Sequence, residues 1–337
     1  MKKKTLKIIA AVIVIDIAIA ASAVAWFMIM PGQSFKGAPP PPDAAQKALA
    51  QQMRKHVVAI ASTEHNTRSS LRLDDAADYI EAELASFGYR VMRQEYQHAN
   101  HSVRNHEVSV SNLEPGEKPG RIFIVGAHYD SARGAPGAND NASGTAATLE
   151  MARALKTLVP ARGTELKFVF FTNEEPPYFH RDGMGSRYHA KDLRTRGQNV
   201  EAALILETIG WYDEAPGSQQ YPLASLKAIY PDAGNFVAVI GTLDSVGLVR
   251  KTTAAFRQHA TIPSEGLAAP AFVQGITWSD HSSYVEHGYQ AVMITDTAVM
   301  RYPHYHTMQD TPDKLDYAKM ARIASALVPV ISGMVTR

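Results

Sequence analysis

Three short apolar runs in this sequence end the same way, on groups that can hold a metal or move a proton. Arg121–Gly126 is followed at once by His128 and Asp130, Leu166–Thr172 by Glu174 and Glu175, and Ala202–Leu206 closes on Glu207. Asp140 stands in a small-residue loop after the first run, and His304 and His306 lie in a late polar segment, Tyr302–Asp313. Histidines and carboxylates, in a chain with no cysteine, form a ligand set suited to Zn²⁺ or another borderline divalent ion. A lone His or Glu at a strand end is ordinarily a solvated loop residue. The repetition carries the reading, because parallel strands that end alike bring their terminal groups to one edge of the sheet.

The elements that must position these groups alternate. Helical patterns cover Asp43–Ala61 and Asp74–Phe87, the second with Asp74 as N-cap and Gly88 as its stop. Tyr89–Tyr96 and Glu107–Leu113 read as strands, followed by the strand that delivers His128. Thr145–Leu158 is an amphipathic helix, Gly185–Arg196 looks helical, Phe236–Ile240 and Ala291–Thr295 are further strands, and Pro312–Val335 closes the chain as a helix. Strands alternating with helices predict an α/β fold with a largely parallel, helix-covered sheet. With 337 residues, 45 % of them hydrophobic, the chain can bury one large core. A formal net charge of +1, with no basic run longer than Lys2–Lys4, gives no reason to expect a nucleic-acid partner.

The N-terminus has its own signal. Lys2–Lys4 and Lys7 precede the apolar stretch Ile8–Met30, which as a helix would span roughly 35 Å, enough for a hydrocarbon core. A cleaved signal peptide is the competing reading, with Ile8–Ala20 as its core and Ala21-Ser22-Ala23 as the cleavage site. Cleavage there would leave the greasy segment Val24–Met30 as a new terminus, which favours an uncleaved signal anchor inserted in the lipid bilayer through Ile8–Met30. Asp16 weakens the span somewhat. The positive flank places residues after Pro31 outside the cytoplasm. The expected organisation is thus a cytoplasmic tip and anchor over 1–31, a Pro-rich tether over 32–43 that lifts the domain off the membrane, and a catalytic domain over 44–337.

The segments GAHYDS, GANDNASGT, TNEEPP, ILETIGW, WSDHSSY and PHYHTMQDTPDKLD resemble, in order, the motifs of the co-catalytic zinc aminopeptidases. These form family twenty-eight of the metallopeptidases, whose zinc-exopeptidase fold is shared with glutaminyl cyclases. The resemblance spans about residues 45–335 and implies the following roles. Asp140 would bridge two Zn²⁺ ions, with His128 and Glu207 completing one site and Glu175 and His306 the other. The pattern His-Thr-x-x-Asp-Thr-Pro selects His306 over His304. Glu174 would be the general base, and the substrate a peptide with a free N-terminus.

Glu207 departs from the family pattern, in which many relatives have Asp. Asp130 could sit behind the His128 ring and fix its tautomer, a common arrangement around metal-bound imidazoles. Asp310 is expected to be a loop-shaping or supporting group, and Asp280 a site-lining or structural one. Hydrolysis is the expected reaction. Glutaminyl cyclisation on the same fold, and a catalytically silent binding domain, are the alternatives.

Overall fold

The computed structural model describes residues 2–98 and 101–337. One eight-stranded sheet organises the chain. In order, the elements are α1 (Lys2–Met28), α2 (Ala44–Ile60), α3 (Ser70–Ser86), β1 (Met92–His98), β2 (His101–Ser111), β3 (Arg121–His128), α4 (Gly144–Ala154), β4 (Thr164–Phe171) and α5 (Gly185–Thr195). Then follow β5 (Val200–Glu207), β6 (Val237–Thr242), α6 (Val246–His259), β7 (Ser264–Ala269), α7 (His281–Glu286), β8 (Ala291–Thr295), α8 (Ala298–Arg301) and α9 (Tyr317–Val335). The strand order across the sheet is β1-β2-β4-β3-β5-β8-β6-β7.

Alternation along the strands builds two cores. Phe123, Val125 and Ala127 of β3 face a large core shared with α2, α4 and α9, whereas Ile122 and Ile124 face a smaller one with Ala190, Leu193 and Tyr284 of α5 and α7. The result is an α/β/α sandwich. Four pairings are parallel (β3 with β4, β3 with β5, β5 with β8, β6 with β7) and three are antiparallel, so the sheet is more mixed than alternation alone predicts. The continuous parallel run is β4-β3-β5-β8, and its first three members are the strands expected to end in ligands.

Local differences from expectation have identifiable causes. α2 begins where predicted, because Asp43 accepts from the Gln46 amide at 2.7 Å in a reciprocal capping box. α3 begins four residues before Asp74, whose carboxylate instead receives Arg104 at 3.0 Å. The closing segment is broken: a short turn at Pro312–Lys314 precedes α9, whose N-cap is Asp316, accepting from the Lys319 amide at 2.9 Å. Helix α9 is long and apolar enough to cross a bilayer, yet most of it is buried in the core. At the N-terminus α1 is one continuous helix, and residues 32–43 that follow run along the domain surface without helix or strand.

Candidate metal centre

β4, β3 and β5 lie side by side and end level, which brings Glu174-Glu175, His128 and Glu207 to one point at the edge of the sheet. The loop 138–143 between β3 and α4 carries Asp140 over the same point, and the loop before α9 brings His306 down from above. His128 Nε2 lies 3.3 Å from one oxygen of Asp140 and 3.2 Å from Glu207 Oε2. His306 Nε2 lies 2.9 Å from the other oxygen of Asp140 and 3.2 Å from Glu175 Oε1. Two groups of potential ligands result, His128–Asp140–Glu207 and Asp140–Glu175–His306, and they share Asp140.

The electrostatics of the cluster are set by its burial. His128, Asp140, Glu174, Glu175 and Glu207 are all buried, and His306 is about a third exposed. Among the described residues, His128 Nε2 and both carboxylate oxygens of Glu175 have no hydrogen-bond partner. Only the His306 Nε2–Asp140 contact, at 2.9 Å, closes as a hydrogen bond among these His–carboxylate approaches.

Burial, with Asp140 beside it, pushes the Glu175 carboxyl up to about 7, and the same two causes push Glu207 up to about 8. Burial raises Glu174 well above the carboxylate range, with the Glu207 and Glu175 charges adding to it against the pull of His128. Burial works against the charged imidazoles too, but Glu207 and Glu174 hold His128 well above its ordinary value, and Asp140 and Glu175 hold His306 at about 11. Asp140 alone is driven the other way, its burial outweighed by the two histidines that flank it. Burial thus favours the protonated form of Glu174, Glu175 and Glu207 beside an ionised Asp140, and a divalent cation held there would take the protons' place. The donor set fits zinc.

Comparison with known proteins agrees with the motifs. The model of peptidase family M28 matches residues 109–331. The chain belongs to peptidase family M28. It is 38 % identical to the YfbL protein of Escherichia coli K12, itself described as uncharacterized, over 86 % of this chain and 90 % of that one. Among solved structures, the LapA aminopeptidase of Legionella pneumophila superposes with a TM-score of 0.65 at 16 % identity, covering 90 % of this chain and 78 % of that one. The glutaminyl cyclase of Fimbriiglobus ruber superposes at 0.61 with 18 % identity, covering 88 % and 97 %. The fold is therefore the one that M28 peptidases share with glutaminyl cyclases, and family membership makes the chain a hydrolase of the zinc-peptidase kind.

In this M28 fold, neighbouring groups fix the loops that carry the two clusters. Asp130 Oδ1 stands 3.4 Å from His128 Nδ1, behind the ring. Its two oxygens also accept from the Glu174 amide at 3.0 Å and the Glu175 amide at 3.2 Å, so it anchors the Glu-Glu turn as well. Asp310 accepts from the amides of Asn139 at 2.8 Å and Asp140 at 3.1 Å, with the Tyr302 hydroxyl donating at 2.8 Å. That arrangement shapes the Asp140 loop. Asp280 is fully buried, with both carboxylate oxygens unpartnered among the described residues, and burial raises it to about 7. His304 packs edge-on against Tyr302 and Trp211, away from both ligand groups. His281 is buried against the Ile276 carbonyl at 2.7 Å.

Sequence reasoning missed three supports. Ser279 donates to Glu207 Oε2 at 2.7 Å. Asn141 donates to the Leu206 carbonyl at 2.8 Å and accepts from the Thr208 amide at 3.0 Å, tying the Asp140 loop to the end of β5. A side chain at Gly144 would meet Asn141 Oδ1 at 2.4 Å, so that close approach requires glycine. Asp296 holds Asn139 at 2.9 Å and the Trp211 amide at 2.7 Å. A single Ser, Asn or Asp leaves no periodic signal. Only its adjacency to a motif, as in Trp278-Ser279-Asp280, could have raised it.

Backbone strain concentrates here as well. Asn173, Thr208 and His306 adopt φ of +57°, +49° and +56°. Such conformations cost roughly 1–3 kcal/mol each and persist where surrounding contacts enforce them.

Proposed function

We propose that the protein is a zinc aminopeptidase that hydrolyses the N-terminal peptide bond of peptides at a two-ion centre. The observation that carries the reading is Asp140, whose two oxygens face two different histidines, each with its own second carboxylate. His128 and Glu207 would hold one ion, Glu175 and His306 the other, and Asp140 both. Zinc in such a site lowers the pKa of water toward neutrality and polarises a carbonyl.

The chain's own residues supply the rest. Glu174 Oε2 lies 3.9 Å from His128 Nε2, outside both ligand groups, and is placed to take the proton of the attacking water and return it to the leaving amine. Asp130 fixes the backbone from which Glu174 projects. An apolar cleft lined by Tyr221, Leu226, Phe236, Ile276, Trp278 and Met293 opens beside Glu207 and Tyr305, and suits a large apolar N-terminal side chain.

The same proposal places the domain outside the cytoplasm. Helix α1, with 27 residues and a length of about 40 Å, is long enough to span a bilayer, and Ile8, Ile13, Val14 and Ile15 on it are exposed.

The test is hydrolysis of aminoacyl amides by the full chain before chelation, after chelation, and after return of zinc. Chelator-sensitive release of the N-terminal residue, preferring Leu or Phe to Gly, supports the proposal. Ammonia release from an N-terminal Gln would make the enzyme a cyclase. Turnover that survives complete metal removal would refute it.

A further inference from the structure

Helix α1 does not run into a loose tether. Its C-terminal carbonyls, which a helix leaves without internal partners, are taken up by side chains of the domain. Arg250 donates to the carbonyls of Trp26 and Ile29, both at 2.7 Å, and the Tyr230 hydroxyl reaches the Met28 carbonyl at 3.0 Å. The Arg250 guanidinium also lies over the Trp26 ring at 3.8 Å, a cation–π contact at the end of the helix where positive charge is favoured. Two residues on, Met30 is buried. A Cβ at position 266 would meet Met30 Cγ at 2.6 Å, so the glycine there leaves room for this side chain. Arg257 then gathers the carbonyls of Met30, Pro31 and Gly32 at 3.0–3.2 Å, Ser34 Oγ accepts from the β7 amide of Ser264 at 2.8 Å, and Arg322 binds the Pro40 carbonyl. Residues 28–40 therefore act as a strap over the β7 edge of the sheet rather than as a spacer.

This geometry limits where the domain can be. From Met28 to Met30 the chain can extend at most about 7 Å. If α1 spans the bilayer, which this inference takes from the reading above, the surface around its exit must lie at the headgroups. That surface carries Trp26 with Arg250, exposed Lys251, and Ile229, which is 50 % exposed one residue from Tyr230. Tryptophan, cations and a scattered aliphatic are the side chains that suit the interface of a bilayer with anionic lipid. We propose that this face is a lipid-binding surface: the sheet stands with its β7 edge on the headgroups and its β1 edge outward, about 34 Å away across seven strand spacings. Tyr230 also lines the apolar cleft, so the membrane seat and the cleft share a wall.

Because the chain has no cysteine, single labels can be placed at will. Ile229→Cys, Lys251→Cys and Met92→Cys, the last on β1 at the far edge, are each labelled with a fluorophore in the full chain. Each is reconstituted into phosphatidylcholine–phosphatidylglycerol vesicles carrying a nitroxide on the headgroup. The expected result is several-fold stronger quenching at 229 and 251 than at 92, in protein that floats with the vesicles. Floating protein with equal quenching at all three sites overturns the lipid-facing surface and leaves the anchor standing. Protein that fails to float overturns the anchor, and with it this inference.

Discussion

Two of the buried charge clusters in this fold are built on opposite principles. In one, Glu107 of β2 receives Lys167 at 2.5 Å and His189 at 2.8 Å, and the other nitrogen of His189 meets the Tyr284 hydroxyl at 2.8 Å. Burial alone would raise Glu107, but His189 and then Lys167 override it and bring the carboxyl down to about 2. Each charge there finds its counterpart inside the protein. In the other cluster Glu175 and Glu207 are pushed up to about 7 and about 8, and His128 Nε2 and both Glu175 oxygens stay without hydrogen-bond partners among the described residues. A closed network satisfies itself, whereas an open one suits a cation. The lesson is that excess of one sign, not burial of charge, separates a binding centre from a structural network.

Substitutions should separate the two in a graded way. Glu174→Gln removes the proposed base while leaving both ligand groups intact. The rate constant kcat should fall by about 10²–10⁴-fold with bound zinc unchanged. Zinc lost along with activity would instead make Glu174 a ligand.

In the closed network, Glu107→Gln leaves buried Lys167 with only the Glu165 carboxylate, at 3.5 Å, as countercharge. Urea unfolding should show a loss of about 1.5–3 kcal/mol, with zinc content and kcat per folded molecule preserved. The acid limb of stability should carry the same signature. The Glu107 pKa lies below its ordinary 4.5 in the folded state, so its contribution is complete above that pH and is lost as pH falls toward about 2. Glu107→Gln should therefore flatten the wild-type decline between those limits, and an unchanged decline would place the acid sensitivity elsewhere.

The smallest effect belongs to Ser279→Ala. Loss of its hydrogen bond to Glu207 should weaken zinc binding by roughly 10–100-fold, read by competition with a chromophoric chelator. An unchanged affinity would show that the Glu207 carboxylate is held in place without the Ser279 hydroxyl.

How much of this was legible in the sequence depends on what kind of signal each part leaves. The open cluster was readable because strong β-formers mark β3, β4 and β5 and each run ends in a ligand-type residue. Six motifs then fixed the family. Strand β7, Ser-Glu-Gly-Leu-Ala-Ala, carries little β-propensity, and α6 before it is rich in Val and Thr, so the far edge of the sheet went unread. The closed network escaped for another reason. Glu107, Lys167 and His189 are separated by 60 and 22 positions, and only the pairing of β2 with β4 and the packing of α5 bring them together. The strap carries only a spacer's signature in the sequence, because Pro-rich composition reports stiffness and says nothing of the carbonyls that Arg257 and Arg322 collect.

The central claim, that the sheet edge holds a pair of ions bridged by Asp140, is tested most directly by anomalous diffraction at the zinc edge from crystals of the zinc-loaded protein. The account predicts two peaks per chain about 3.5–4 Å apart with the Asp140 carboxylate between them. A single peak, or two peaks that do not share Asp140, would contradict it.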